Sequence, residues 1–372
     1  MICYPFYSSV VFPKDSSLGG YGSNYKACKL GSLEVNSVSF DANVDFAITS
    51  IDSLYPGELV DSFPEHLFCA SHTHYSPMID SGKPSVGSFD HKSLEQWAKS
   101  LNSIGMRSSS ALIDTVVEYR ASVPDPIYRR FDTHGSAIER YLNPIFGMYP
   151  NSLEIIDRSI RIFAFYDINS EVTFCLVWHS CHPVSRISRV EISADYVGVI
   201  RSEVRKMFGD IPVLFFLGPC GDIRPNITSK RFKFLPDIFP NRRFSKIPSY
   251  EQSKELDARY ATAIQSMVEV KRIQSPKINI KSMKLKVSNG DVLESKRLSI
   301  PGLIDFVFFP FEVSHRYHFE SLARGELIVS CSGSVKGYLP HKSQVLFGGY
   351  EVDSSRPIMR YGNERYFLES VF

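Results

Sequence analysis

Short runs of apolar residues recur along the chain, and longer stretches with helical spacing of apolar positions lie between them. Continuous rather than alternating apolar runs are typical of strands buried on both faces of a sheet. We predict strands at residues 44–51, 67–70, 160–166, 172–178, 213–217, 307–309 and 327–331. Helical spacing of the apolar positions predicts helices at residues 91–119, 194–208 and 250–270. Strands mixed with helices indicate an α/β fold with mixed β-sheets flanked by helices.

Two stretches lack either pattern. Residues 122–157 are rich in Pro, Arg and Asn, and residues 227–248 place basic side chains among Phe and Pro. The basic residues of the second stretch are Lys230, Arg231, Lys233, Arg242, Arg243 and Lys246. Such a stretch is typical of a solvated loop. The alternative is a mobile basic lid that faces an anionic substrate or a membrane surface.

Composition narrows the classes of protein to consider. The 372 residues are 43% hydrophobic and 22% charged, which is typical of an ordinary globular protein and compatible with one large domain over residues 1–372. A formal net charge of +2 does not favour a nucleic-acid partner. Seven cysteines without a Cys-x-x-Cys motif predict reduced thiols. With neither a secretory leader nor an apolar stretch of ~20 residues, we expect a cytoplasmic protein. The oligomeric state stays open.

Three of the predicted strands end in polar loops that carry His or Asp. His72 and His74 follow the strand at 67–70, His182 follows the strand at 172–178, and Asp222 follows the strand at 213–217. Because residues i and i+2 of a strand point to the same face, His72 and His74 could converge on one metal ion. Ligands of open α/β sheets bind at such strand ends.

The order of these loops and their amino-acid sequences resemble those of the catalytic domain of the neutral ceramidases, a family of zinc amidases. The resemblance spans about residues 40–355. Its later part includes a pair of tyrosines spaced by twelve residues, as in the family. The matching segments are His72-Thr73-His74, His182 with Ser193-Ala194-Asp195, Gly221-Asp222-Ile223-Arg224-Pro225-Asn226, Pro310-Phe311-Glu312-Val313, Gly337-Tyr338 and Gly349-Tyr350.

The resemblance implies a zinc site and a role for each matching residue. The implied zinc ligands are His72, His182, Glu312 and Tyr338. Zinc would activate a water for attack on an amide carbonyl, and His74 would pass a proton to the leaving amine. Tyr350 and an arginine would stabilise the oxyanion that develops. Arg120 is the closest match to that arginine, and Arg129 and Arg130 are its rivals.

Departures from the family pattern bear on the substrate. The glycine-rich turn after the first histidine loop is replaced by Tyr75-Ser76-Pro77-Met78-Ile79, and Arg224 stands where the family has Ser. The family's C-terminal β-sandwich is not expected in a chain of this length. We therefore favour hydrolysis of a small or sugar-linked N-acyl substrate, such as an acetamido sugar, whose phosphate or carboxylate would meet Arg224 and the basic stretch.

Three alternatives stay open. The protein could be a true ceramidase acting on lipid amides, or a catalytically inactive relative that binds a ligand. It could also hydrolyse an ester or phosphoester, since metal-activated water is not restricted to amides.

Overall fold

The computed structural model describes residues 1–40, 46–103, 110–130, 148–230, 242–287, 292–345 and 349–352. In chain order, its strands are β1 (Ile2–Phe12), β2 (Gly31–Phe40), β3 (Ala47–Ile51), β4 (His66–Ala70), β5 (Ala111–Ser122), β6 (Pro126–Tyr128), β7 (Ser159–Asp167), β8 (Val172–His179), β9 (Val213–Leu217), β10 (Ile223–Pro225), β11 (Thr228–Lys230), β12 (Arg242–Phe244), β13 (Val268–Gln274), β14 (Asn279–Lys286), β15 (Val292–Ile300), β16 (Ile304–Phe308), β17 (Glu312–Val313), β18 (Glu326–Val329) and β19 (Tyr338–Leu339). The helices are α1 (Leu59–Ser62), α2 (His91–Asn102), α3 (Tyr196–Phe208), α4 (Tyr250–Gln265), α5 (Arg316–Leu322) and α6 (Lys342–Val345).

Within the described ranges, nine strands form one mixed sheet. Their order is β4-β3-β2-β1-β5-β7-β8-β9, and β13 pairs with β5 beside this path. The pairs β3–β4 and β8–β9 are parallel, and the other pairs of this sheet are antiparallel. A second sheet has the order β14-β15-β16-β18, in which β16 and β18 are parallel. The predicted α/β class with mixed sheets and flanking helices is therefore confirmed.

The central strands are buried on both faces, as their continuous apolar runs predict. In β7, Ile162 and Ala164 belong to one core cluster, and Phe163 and Phe165 belong to another. Helices α3 and α4 cover the first face with Ile200, Tyr260 and other apolar side chains. The second sheet covers the opposite face with Leu298, Ile300, Phe306, Phe308, Leu327 and Val329. The result is a helix layer, the large sheet, and a second sheet layer.

The large sheet coils so that β3 and β4 approach β9. Ser50 in β3 donates through Oγ to Phe215 O in β9 and accepts from Phe215 N, each at 3.0 Å. The segment after β18 closes the remaining gap, since Ser330 N donates to Leu217 O at 2.6 Å and Ala70 N donates to Cys331 O at 3.0 Å. The carboxyl ends of β4 and β9 thus lie beside each other.

Two of the predicted helices are wrong at their C-terminal ends. The helix predicted at 91–119 ends at Asn102, and residues 111–122 form β5 instead. The β-branched residues Ile113, Thr115, Val116 and Val117 favour a strand, and β5 gains hydrogen-bonded neighbours in β7 and β13. The helix predicted at 250–270 ends at Gln265, and β13 begins at Val268.

Two further observations concern the cysteines and the helices. All seven cysteines are free, and Cys28 alone among them is exposed. None of the helices in the described ranges combines the length and apolar character that crossing a membrane requires.

Candidate metal centre

Loops that follow parallel-paired strands deliver the side chains of the site. His72 follows β4, His182 follows β8, and Glu312 opens β17 shortly after β16. His72 has a φ of +63°, an unusual backbone conformation for a residue with a side chain. Because the coiled sheet brings the ends of these strands together, residues far apart in sequence meet at one edge.

Three histidines and one carboxylate converge in the interior. One ring nitrogen from each of His72, His74 and His182 lies within 4.8 Å of the others. Glu312 Oε2 lies 3.3 Å from His72 Nε2 and 3.2 Å from His182 Nε2. His72, His182 and Glu312 are buried. The structure therefore brings together three of the four zinc ligands that the resemblance implies, with His74 beside them.

Backbone carbonyls fix the tautomer of all three histidines. A carbonyl oxygen can only accept, so each bonded Nδ1 must carry hydrogen, and the Nε2 of a neutral ring keeps a free lone pair. The Nδ1 atoms of His72, His74 and His182 donate to Leu54 O at 2.8 Å, Gly20 O at 3.2 Å and Cys220 O at 2.6 Å, respectively.

The atoms left over fit a metal ion. In the described part of the chain, the Nε2 atoms of the three histidines and Glu312 Oε2 are buried without a hydrogen-bond partner. Such orphaned atoms are rare in native proteins, and imidazole nitrogen with carboxylate oxygen is a ligand set that zinc and other divalent cations accept.

Tyr55 orients the carboxylate. Its hydroxyl donates to Glu312 Oε1 at 2.8 Å, which leaves Oε2 facing the histidines. Burial by itself raises the pKa of Glu312, but His72 and His182 hold that pKa well below its ordinary value. Burial and the nearby Glu312 raise the pKa of Tyr55, so the phenol keeps its proton and remains a donor. Nothing in the sequence motifs pointed to Tyr55.

A cavity of about 320 Å³ opens in front of His74 and His182. Tyr338 lines it, and the backbone of Tyr338 pairs in parallel with that of Glu312. Tyr350 also lines it and is 44% exposed, so it lies at the solvent side of the cavity. The two tyrosine rings contact each other, with centroids 5.9 Å apart.

Arg129, and not Arg120, faces this cavity. Arg120 lies in β5 and pairs with Glu118 at 2.5 Å, away from the cavity. Arg129 follows β6, where its guanidinium lies over the rings of Tyr338 and Tyr350, 5.5 and 5.1 Å from their centroids. Arg120 lies inside β5, which continues to Ser122, whereas Arg129 directly follows β6, the next strand in the chain.

Three further His and Asp residues in or near the matching segments have structural partners. His179 is satisfied by Ser159 O at 2.9 Å and Tyr260 Oη at 3.0 Å. Asp195 caps α3 through Tyr196 N, as its position before the helix predicts. Asp222 accepts from Ser314 Oγ at 2.5 Å and from the backbone nitrogen of His315 at 2.8 Å.

The two ends of the basic stretch 227–248 form a short strand pair beside the cavity. β11 and β12 pair in an antiparallel ladder, and Phe244, Ser245 and Lys246 line the cavity. Residues 231–241, the middle of the proposed lid, lie outside the described residues. Tyr21 and Arg189 also line the cavity, and the sequence motifs did not indicate either of them.

Two solved structures that share this fold are ceramidases. The chain superposes on neutral ceramidase from Pseudomonas aeruginosa with a TM-score of 0.59 and 13% identity, covering 94% of this chain and 70% of that one. It superposes on a ceramidase complexed with C2 with a TM-score of 0.60 and 12% identity, covering 95% of this chain and 72% of that one. No protein-family model matches the sequence, and no curated protein matches it. The fold expected from the motifs is thus confirmed.

Proposed function

We propose that the protein is a metal-dependent hydrolase of an N-acyl amide bond, with zinc as the expected metal. The observation that carries the proposal is the convergence of four buried ligand atoms, the Nε2 atoms of His72, His74 and His182 and the Oε2 atom of Glu312. It is supported by the fold, which the chain shares with two ceramidases. Buried polar groups whose pKa values are shifted, and which lie beside a cavity, are typical of functional sites.

The chain's own residues suit the chemistry of amide cleavage. His72, His182 and Glu312 would hold the cation, with Tyr338 next to Glu312 as a further ligand. A bound divalent cation would supply Lewis acidity and lower the pKa of water in the site.

His74, Arg129 and Tyr350 line the cavity in which the reacting amide would lie. His74 has an Nε2 lone pair beside the cavity, so it can carry a proton to the departing amine. Arg129 and Tyr350 present donors to the same cavity, which suits negative charge developing on a carbonyl oxygen.

The cavity favours a small substrate over a long lipid chain. Its volume is about 320 Å³, at the lower end of ligand pockets, and several of its lining side chains are charged. We therefore propose an N-acyl group on a small polar or sugar-linked amine. A ceramide substrate is the second candidate, favoured by the superposition on a ceramidase complexed with C2.

Metal analysis and a substrate panel test the proposal. Purified protein should hold a divalent metal in stoichiometric amount and release free amine from acetamido sugars faster than from short- or long-chain ceramides. Cleavage of long-chain ceramides alone would favour the second candidate, and hydrolysis of esters but no amides would contradict amide specificity.

Substitutions of the proposed metal-binding residues test whether this site carries the activity. His182→Ala and Glu312→Gln should each lose the metal and the activity, because each removes one of the converging ligand atoms. His91→Ala and Glu95→Gln, both at exposed positions of α2, are the matched controls and should keep both. A folded wild-type protein that binds a ligand but neither holds metal nor cleaves any substrate would instead be an inactive relative.

A further inference from the structure

The cavity beside the candidate metal centre is strongly cationic. Among the described residues that line it, four carry positive charge and none is acidic. The four are Arg129, Arg189, Arg224 and Lys246. A concave surface lined by charges of one sign concentrates ligands of the opposite charge. Since Glu312 is the one acidic residue in the proposed ligand set, a bound divalent cation would leave the whole site more positive still.

Two of these arginines are held by neighbouring side chains. Arg129 Nε donates to Glu351 Oε1 at 2.7 Å, and Arg130 Nη1 donates to Glu351 Oε2 at 2.8 Å, so one carboxylate is shared by two guanidinium groups. The guanidinium of Arg189 lies over the Tyr21 ring, 4.5 Å from its centroid, and Nη1 donates to Tyr25 Oη at 3.2 Å. Aromatic faces stabilise a guanidinium without neutralising it.

Arg224 lacks such a counter-charge. Its guanidinium lies over the Phe244 ring, 5.0 Å from the centroid, and Nη1 lies 3.8 Å from Met148 Sδ. No carboxylate of the described chain forms an ion pair with it. Burial and the nearby Arg129 lower the pKa of Arg224, as two adjacent positive charges require. Arg224 is half-buried, and a guanidinium partly withdrawn from water without a counter-charge is costly, so an anionic ligand would offset that cost.

The backbone holds Arg224 firmly at this place. It is the middle residue of β10, which pairs with β6 in register, Arg224 opposite Ile127. Asp222, just before β10, is fixed by Ser314 and His315. A side chain on so fixed a backbone is preorganised for a ligand. The motif that this loop resembles carries Ser at the position of Arg224, so the cation is a feature of this chain.

We propose that the cavity takes an N-acyl substrate that carries a carboxylate or phosphate group, and that Arg224 binds this group. The inference rests on the proposed function, because it places the anion of the substrate beside the site that would cleave its amide. A planar guanidinium with several donors matches either anion, and the volume of about 320 Å³ suits a small molecule.

Matched pairs of substrates test the proposal. One pair is N-acetylglucosamine and its 6-phosphate, and the other is N-acetylglycine and N-acetylglycinamide. The anionic member of at least one pair should have a kcat/KM about 10- to 100-fold higher, as expected for a charge-assisted hydrogen bond. The pair that shows the larger ratio distinguishes phosphate from carboxylate. Equal kcat/KM within both pairs would overturn the proposal.

Variants assign the effect to Arg224. In Arg224→Gln, the ratio between anionic and neutral substrates should fall toward one, mainly through KM, and Arg224→Lys should keep part of it. Arg272→Gln is the matched control, because Arg272 is exposed on β13 and pairs with Glu269 outside the cavity. A ratio that survives in Arg224→Gln would show that another cation binds the anion.

A binding measurement separates this inference from the proposed function. In metal-depleted protein, inorganic phosphate or acetate at millimolar concentration should raise the melting temperature of the wild type and not that of Arg224→Gln. If the anions bind but no amide is cleaved by metal-loaded protein, the proposed hydrolysis fails and the anion site stands. If amides are cleaved without preference and neither anion binds, the inference alone fails.

Discussion

At the scale of single residues, the backbone at Gly20 decides where the His74 ring lies. His74 Nδ1 donates to Gly20 O, and the ring contacts Tyr21 with centroids 5.3 Å apart. Gly20 has a φ of +105°, and a Cβ at that position would lie 2.6 Å from His74 Nδ1. Glycine is therefore required here both for the backbone conformation and for the space that the imidazole occupies.

Gly20→Ala should displace His74 and lower amide hydrolysis at least about tenfold, because a general acid or base contributes factors of this size or more. Gly22→Ala is a closely matched control, since Gly22 also has a φ of +105° but a Cβ there would meet nothing within 4 Å. Initial rates and metal content of both variants are the measurements. Equal rates would contradict a role for His74 in the reaction.

The metal content of Gly20→Ala also separates the two roles of His74. Retention of the metal with loss of rate would support proton transfer, as the resemblance implies. Loss of both would make His74 a ligand, as the geometry of the two neighbouring histidines first indicated.

At the scale of elements, the strands buried on both faces were predictable and the half-exposed strands were not. The apolar runs predicted β7, β8 and β9 almost to the residue, because both faces are covered. Strand β14 carries three exposed lysines, and β15 mixes polar with apolar residues, so no apolar run marks either strand. The motifs named His72, His182 and Glu312 and left Arg129 as a rival of Arg120. Tyr55, in contrast, reaches the site through packing that no local pattern encodes.

The loop after β9 and helix α5 are joined by a buried charge network. His315 Nδ1 lies 3.1 Å from Asp222 Oδ2, and its Nε2 lies 3.4 Å from Glu154 Oε1. Burial by itself lowers the pKa of His315, but Asp222 and Glu154 raise that pKa to about 9. His315 is therefore protonated at neutral pH, and its charge stabilises the packing of α5 against the loop.

This network should make stability fall in alkaline solution. Because the folded-state pKa of about 9 exceeds the unfolded value of ~6.5, the contribution is complete below pH ~6.5 and is lost as the pH rises through about 9. His315→Gln should lower the free energy of unfolding by up to about 3 kcal/mol at pH 6 and by much less at pH 10. Urea denaturation across this range measures the difference. His91→Gln, at an exposed position, should show no such dependence, and a constant difference for His315→Gln would contradict the assignment.

At the scale of the whole molecule, the candidate ligands join segments that are far apart in the chain. His72 follows β4 near one end of the large sheet, and His182 follows β8 near the other end. Glu312 comes from β17, which lies in the chain between β16 and β18 of the second sheet and pairs with β19. Coiling of the sheet, fixed by contacts such as Ser50 with Phe215, is what allows these segments to meet. A metal ion at this point would act as a cross-link between the large sheet and the β17–β19 pair.

Metal removal should therefore lower the stability of the entire fold. A ligand that binds only the native state at 100 times its Kd adds about 2.7 kcal/mol, which corresponds to about 3 to 4 °C in melting temperature for a protein of this size. Thermal melts of wild-type protein with zinc and with excess chelator should differ by about this amount. Glu312→Gln should melt at the same temperature in both conditions, since it removes the carboxylate oxygen shared by His72 and His182. Glu95→Gln should keep the wild-type difference, because Glu95 is exposed on α2. A chelator effect that persists unchanged in Glu312→Gln would place the metal elsewhere in the molecule.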